Sequence, residues 1–124
     1  MLAGQPIMAF VATAQPAKAR GFYSDVLGLT LTADDPYALT FDAGGTVLRV
    51  AIVDQLQPQG FTVLGWIVPD ISAAARGLED RGVEFNRYPW MEQDAAGIWS
   101  SPSGAKVAWF KDPDGNTLSI TQLS

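Results

Sequence analysis

Hydrophobic residues along the chain follow two periods, and the order of these periods predicts a structural module in the first half. A continuous apolar run at 6–13 predicts a strand that lies inside a sheet and is covered on both faces. Apolar residues at helical spacing between Pro16 and Gly28 predict an amphipathic helix over that sheet. Three more strands complete a β-α-β-β-β module, at 29–33, 37–43 and 46–53.

A similar order of strand, helix, glycine and strand returns in the second half of the chain. We predict a strand at 61–68 and a helix that begins after the N-cap Asp70 and ends at Gly82. The remaining three strands of this half are predicted at 83–88, 107–110 and 117–122, with a partly ordered loop at 89–104 in which 98–100 is a candidate for a short extra strand. The second half therefore reads as another β-α-β-β-β module.

The repeated order predicts the fold class and the division of the chain. We expect an α+β protein with a single domain at 1–124, built from two modules. Module one is 1–54, module two is 61–124, and the segment 55–60, with its glutamines, proline and glycine, is the linker.

A tight turn between the last two strands is the most explicit local signal. Asp112 to Asn116 reads DPDGN: Pro113 fixes its own φ, aspartate side chains accept hydrogen bonds from nearby backbone N–H groups, and Gly115 accepts a positive φ. After it, hydroxyl and aliphatic residues alternate as on a half-buried strand, at Thr117, Leu118, Ser119, Ile120 and Thr121. A cavity wall and an outer surface would both give this hydroxylated face.

Composition and charge exclude several classes of function. With 48% hydrophobic and 17% charged residues, the chain is expected to be compact, and its net charge of −5 disfavours nucleic acid and anionic membranes. Without cysteine or histidine it has no disulfide, thiolate site or Ser-His-Asp arrangement. No apolar run approaches the roughly 20 residues of a membrane span, so we expect a cytoplasmic protein.

Two segments resemble one protein family. The segment FYSDVLGL, from Phe22 to Leu29, and the DPDGN turn are similar to segments of the vicinal oxygen chelate superfamily, which includes glyoxalase I, extradiol dioxygenases and bleomycin-resistance proteins. The resemblance implies that both modules curl their strands into an open, U-shaped mixed sheet around a cavity. It also implies a homodimer.

The resemblance also places the metal ligands of the family's enzymes on four positions of this chain. These positions are Pro6, Arg49, Val63 and Ser119. A divalent metal site needs several carboxylate or imidazole donors, and these four side chains supply none. We therefore expect no metal and no other cofactor.

If those positions line a cavity, strand alternation and loop position give eight candidate ligand-binding residues. They are Met8, Phe10, Arg49, Trp90, Trp99, Trp109, Ser119 and Thr121. By the same alternation, Trp66 and Phe110 point to the helices and belong to the core.

Each of these candidates has a structural alternative. Arg49 should meet either an anionic ligand group or a carboxylate of the chain, for which Asp42 and Glu84 are candidates. Trp109, with Met8 and Phe10, forms a stacking platform or fills a cavity or dimer seam. Trp90 and Trp99, on an irregular segment, form a lid or a subunit interface.

These observations favour a metal-free protein that binds a small organic molecule in an aromatic cavity and sequesters a drug or metabolite. The alternative is a lyase or isomerase of the glyoxalase type, with non-standard metal ligands or with metal-free acid–base chemistry. A third hypothesis is a non-catalytic module whose aromatic loop binds another protein.

Overall fold

The computed structural model of the protein describes residues 1–124, which form two compact units, Met1–Gln57 and Pro58–Ser124. Each unit contains one four-stranded mixed sheet and one helical segment. The strands of the first unit are β1 Met8–Thr13, β2 Thr30–Asp34, β3 Ala38–Ala43 and β4 Thr46–Ile52. Those of the second unit are β5 Thr62–Ile67, β6 Trp99–Ser100, β7 Lys106–Lys111 and β8 Thr117–Gln122. The predicted α+β fold of two β-α-β-β-β modules is confirmed.

The helical segment of the first unit changes its winding halfway. Helix α1 spans Pro16–Gly21 and continues as a π-helical turn at Phe22–Val26. Gly28 then takes a φ of +75° and ends the segment, as predicted, because glycine lacks the Cβ that disfavours this conformation. Tyr23 lies inside the wide turn, where it is fully buried with its ring 5.8 Å from the Phe41 ring of β3. This contact packs the helical segment on the sheet.

The first sheet has one buried and one accessible face. Its strand order is β1-β4-β3-β2, with β1 parallel to β4 and the other pairs antiparallel. Val11 on β1 is buried, whereas Met8 and Phe10, on the other face, are 49% and 58% exposed. The prediction that the first strand is covered on both faces is therefore wrong. The strand lies at the edge of its sheet, and the helical segment packs on the face that carries Phe41.

The second sheet, in the order β5-β8-β7-β6, packs against helix α2, which spans Ile71–Asp80. The Asp70 side chain accepts a hydrogen bond from the Ala73 N–H at 3.1 Å, so the predicted N-cap is confirmed. A second bond, from the Ile71 N–H to Gln122 Oε1 at 2.9 Å, joins the start of the helix to the end of β8. Neither helix is long and apolar enough to cross a membrane.

The prediction of a strand at 83–88 is wrong. In this segment only Phe85 makes a β-bridge, to Phe110 of β7, and the Asn86 N–H donates to the Trp109 carbonyl. The side chain of Gln93 takes the place of a further strand partner, because it accepts from the Tyr88 N–H and donates to the Asn86 carbonyl. The second strand of this module is instead β6, and the other predicted strands differ from the observed ones by at most two residues at either end.

The DPDGN turn between β7 and β8 has the predicted structure. Asp112 Oδ1 accepts from the N–H groups of Asp114 and Asn116 at 2.9 and 3.0 Å, and Asp112 Oδ2 accepts from the Asn116 amide at 2.9 Å. The Gly115 N–H donates to the Asp112 carbonyl at 3.0 Å, with Gly115 at a φ of +88°. The buried Asp112 is therefore a structural residue of the turn.

Candidate ligand-binding site

The two faces of the second sheet have different chemistry. Apolar residues, including Phe110 and Leu118, lie on the face toward α2 and are fully buried, and Trp66 is half-buried on the same face. The opposite face carries Thr117, Ser119 and Thr121 of β8, and we call it the hydroxyl face. The register of the sheet thus agrees with the predicted direction of Phe110 and Trp66 toward the helix, but only Phe110 belongs to the buried core.

Four aromatic rings form a continuous cluster beside this hydroxyl face. The Trp99 and Trp109 rings are 6.1 Å apart, and the Tyr88 ring meets Trp109 edge to face at 5.8 Å. The Trp90 ring lies 5.0 Å from the Tyr88 ring. The structure therefore brings together three of the predicted site residues, and Tyr88 joins them. We call these four residues the aromatic cluster.

The predicted strand at 83–88 gives Tyr88 a regular position at its end, so Tyr88 is not among the predicted site residues. The one local signal for an irregular position is its place before Pro89 and one residue from Trp90, since a residue before proline is restricted in conformation. In the structure Tyr88 is half-buried and is the ring that connects Trp90 to Trp109.

Side-chain hydrogen bonds to the backbone hold the segment that carries Tyr88 and Trp90. Gln93 bonds to three backbone groups, because its amide also donates to the Gly97 carbonyl at 2.9 Å. Arg87 donates from both terminal nitrogens to the carbonyl oxygens of Asp94 and Ala95. These bonds fix a segment that has almost no regular secondary structure, and Trp90 remains 76% exposed on it.

Ser119 lies at the centre of the hydroxyl face. In the sheet register it pairs with Gly65 of β5 on one side and with Trp109 of β7 on the other. A Cβ atom placed on Gly65 would lie only 2.5 Å from Ser119 Oγ, so the glycine makes room for the hydroxyl. Ser119 is 7% exposed, and Thr121, two residues further on, is half-buried.

A cleft of about 390 Å³ lies within the second unit, at the end of the sheet where β7 turns into β8. Its volume is within the range of small-molecule sites. Polar and cationic groups line it together with Pro58, Gly60 and Gly115, and we call it the cationic cleft. Its polar lining residues are Gln59, Asn86, Arg87, Tyr88, Lys111 and Thr117.

The candidates of the first unit lie on one face of its own sheet. Phe10 and Arg49 are neighbours in the register of β1 and β4, and Met8 lies two residues before Phe10 on the same face. Arg49 is half-buried and forms no ion pair. The Asp42 carboxylate accepts instead from the Gly45 N–H at 3.0 Å, and Glu84 is exposed in the second unit.

Arg49 has an electrostatic effect on one carboxylate of its own unit, that of Asp35. Hydrogen bonds from the N–H groups of Tyr37 and Ala38, at 2.8 and 3.0 Å, hold the pKa of Asp35 below its usual value. The positive charge of Arg49 lowers this pKa further, as a smaller contribution. Arg49 therefore acts on a carboxylate of its own unit through space, without a direct contact.

The residues present do not fit the metal centre of the family's enzymes. No three histidine, cysteine, aspartate or glutamate residues come together in a group that would hold a metal ion. Pro6 precedes β1, Val63 is aliphatic, and Arg49 and Ser119 occupy the other two positions. A cation and three side chains without a carboxylate or an imidazole are not a ligand set for a divalent metal.

The two β-α-β-β-β modules, each with a four-stranded mixed sheet, place the chain among two-module α+β proteins. A model of the Glyoxalase/Bleomycin resistance protein/Dioxygenase superfamily matches residues 6–120, and the chain belongs to this superfamily. A search of curated protein sequences gives no significant match.

Solved structures show the same fold. A member of this superfamily from Sphaerobacter thermophilus DSM 20745 is 26% identical, with a TM-score of 0.76 and coverage of 98% of this chain and 99% of that one. A glyoxalase family protein from Bacillus anthracis is 17% identical, with a TM-score of 0.75 and coverage of 96% and 94%. Lactoylglutathione lyase from Agrobacterium tumefaciens is also 17% identical, with a TM-score of 0.70 and coverage of 95% and 93%.

Proposed function

We propose that this protein binds a small organic molecule on the aromatic cluster and sequesters it without chemical change, as a metal-free drug- or metabolite-binding member of its superfamily. The observation that carries the proposal is the series of contacting rings from Trp90 through Tyr88 and Trp109 to Trp99. A planar ligand that stacks on such rings gains about 0.5–1.5 kcal/mol per aromatic pair beyond the burial of its surface.

The surroundings of the cluster suit recognition of a ligand. Ser119 lies across the strand pair from Trp109 and, with Thr121, offers hydroxyl groups that donate or accept hydrogen bonds. No histidine is present to activate Ser119 as a nucleophile, which argues for binding as its role. Met8, Phe10 and Arg49 of the first unit remain predicted ligand-binding residues.

The proposal also covers the partners, the oligomeric state and the cellular location of the protein. The net charge of −5 argues against nucleic acid and anionic membrane partners. A homodimer and a cytoplasmic location accord with the superfamily resemblance and with the absence of cysteine.

The first experiment is native mass spectrometry of the freshly purified protein, followed by denaturing mass spectrometry and elemental analysis. We expect an organic mass that is lost on denaturation, without a stoichiometric metal. Stoichiometric zinc, nickel, iron or manganese, together with metal-dependent turnover of a glyoxalase substrate, would contradict the proposal and favour the lyase alternative.

A second experiment tests the location of the site with two matched tryptophan variants. Trp109→Leu removes a ring of the aromatic cluster, whereas Trp66→Leu removes a ring on the opposite face of the same sheet. With the neutral planar probe 1-naphthylacetamide in calorimetric titrations, we expect about a tenfold loss of affinity for Trp109→Leu, from lost stacking and apolar area. We expect less than about a twofold change for Trp66→Leu. Equal losses in two folded variants would place the site elsewhere.

A further inference from the structure

The cationic cleft and the aromatic cluster share one residue, Tyr88, whose ring contacts Trp109 and which also lines the cleft. We propose, on the basis of the proposed function, that the ligand is a planar organic anion whose oxyanion group binds in the cationic cleft while its ring lies on the aromatic cluster. The oxyanion is a carboxylate or a phosphate.

The charge of the cleft is opposite to that of the whole chain. The protein has 13 acidic and 8 basic residues, yet the cleft is lined by two cations, Arg87 and Lys111, and by no carboxylate. Two carboxylates adjoin lining residues in sequence: Asp112, which accepts three hydrogen bonds within its turn, and Asp114, which does not line the cleft. Positive charge at this place is therefore available to a ligand.

Lys111 is the cation best suited to contact the anion. It is exposed at the end of β7 and forms no ion pair. Its cross-strand neighbour Thr117 makes only a long hydrogen bond of 3.4 Å, from its hydroxyl to the Gln59 carbonyl. The ammonium group offers three N–H donors to an oxyanion, and the Thr117 hydroxyl becomes a further donor when it exchanges its long bond to Gln59 for one to the ligand.

Arg87 contributes charge from a fixed position. Its two terminal nitrogens donate to the carbonyl oxygens of Asp94 and Ala95, which leaves further N–H donors of the five on a guanidinium group. Asn86 donates from its side chain to the Tyr88 hydroxyl at 2.9 Å, so the polar wall of the cleft is connected to the aromatic cluster.

The spacing of the two parts limits the size of the ligand. Lys111 follows Trp109 by two residues on the same face of β7, so their Cα atoms are roughly 7 Å apart along the strand. A bicyclic aromatic ring with a carboxylate or phosphate on a short arm matches this distance. A long flexible anion does not need the two parts to be so close.

The test compares, in calorimetric titrations, three probes that share the naphthalene ring system and differ in charge. The probes are 1-naphthylacetate, the neutral 1-naphthylacetamide and 1-naphthyl phosphate. We expect at least one anion to bind about tenfold tighter than the amide, because it adds a charge-assisted hydrogen bond. Raising the salt concentration from about 50 mM to about 500 mM should lower the affinity for the anion and leave the affinity for the amide unchanged. If the natural ligand is a carboxylate, 1-naphthylacetate should bind more tightly than 1-naphthyl phosphate. If it is a phosphate, 1-naphthyl phosphate should bind more tightly.

Two lysine variants of the same strand locate the effect. In Lys111→Gln the affinities for the anion and for the amide should differ by no more than about twofold, because the ammonium group is removed. Lys106→Gln is the matched control, since Lys106 is also exposed but lies at the other end of β7 and on its other face. It should leave the preference intact.

The outcomes separate this inference from the proposed function. If the amide binds as tightly as both anions, or if Lys111→Gln keeps the preference for the anion, the assignment of the cleft is wrong and the aromatic site stands. If none of the naphthalene probes binds, the proposed function fails and the inference fails with it.

Discussion

The DPDGN turn allows a prediction whose magnitude follows from counted hydrogen bonds. The carboxylate of Asp112 is 6% exposed and accepts from two backbone N–H groups and from the amide of Asn116. Asp112→Asn keeps one oxygen for the two backbone donors but places an amide N–H₂ against the Asn116 amide. Asp112→Ala leaves all three donors without this acceptor.

The cost of each change follows from these losses. A hydrogen bond to a charged group contributes about 1.5–3 kcal/mol to the free energy of unfolding, so Asp112→Asn should cost about this much. The alanine variant should cost about 3–5 kcal/mol, because each buried donor left without a partner costs about 1–3 kcal/mol and water reaches part of the turn. At about 3–5 °C per kcal/mol for a chain of this size, the melting temperature should fall by more than about 10 °C.

The assay is urea unfolding followed by circular dichroism, with two controls. Asp54→Asn removes an exposed carboxylate and should change the free energy of unfolding by less than about 0.5 kcal/mol. The double change Asp112→Asn with Asn116→Asp exchanges donor and acceptor, and should recover part of the lost stability. If Asp112→Ala unfolds at the same urea concentration as the unchanged protein, the turn is not held by this carboxylate and the reasoning is wrong.

Two further predictions concern other contacts. Gly65→Ala should destabilise the second unit by about 1–3 kcal/mol, because its new Cβ would lie 2.5 Å from Ser119 Oγ. In a double-mutant cycle, Ser119→Ala should relieve most of this cost. Additive effects of the two changes on the free energy of unfolding would contradict the contact. The carboxyl of Asp35, titrated by NMR, should have a pKa below 3.8, so its contribution to stability is present above that pH and is lost as the pH falls through the folded-state value. Arg49→Gln should raise this pKa slightly, whereas an unchanged pKa would mean that the two charges do not interact.

Those parts of the fold that depend on local chemistry could be predicted from the sequence. The turn at Asp112, the N-cap Asp70 and the helix end at Gly28 each depend on a few neighbouring residues, and all three are present. The prediction of a strand at 83–88 was wrong because the side chain of Gln93, several residues further on, bonds to the backbone of this segment. Strand propensity contains no information on such a contact. The prediction that the first strand is covered on both faces was wrong because an apolar run does not reveal whether its strand lies at the edge of a sheet.

The candidate site was predictable as far as strand alternation reaches. Alternation placed Trp109, Ser119 and Thr121 on one face of the sheet, and the observed register agrees. It gave no indication of the cationic cleft, because Lys111 and Arg87 meet there through a turn and an irregular segment. The ligand-binding role of the eight candidate residues remains a prediction.

The strand order of both sheets has a consequence for how the chain folds as it is synthesised. In each unit the strand made last in that unit, β4 or β8, lies between the strand made first and the preceding one. Its pairing with the first strand joins residues such as Gly65 and Ser119, which are far apart in sequence, and the loop-closure cost rises with that separation. The sheet of the second unit therefore cannot be completed until Gln122 has left the ribosome, and until then β5 has no strand partner. The first unit is able to complete its own sheet while that synthesis is still under way.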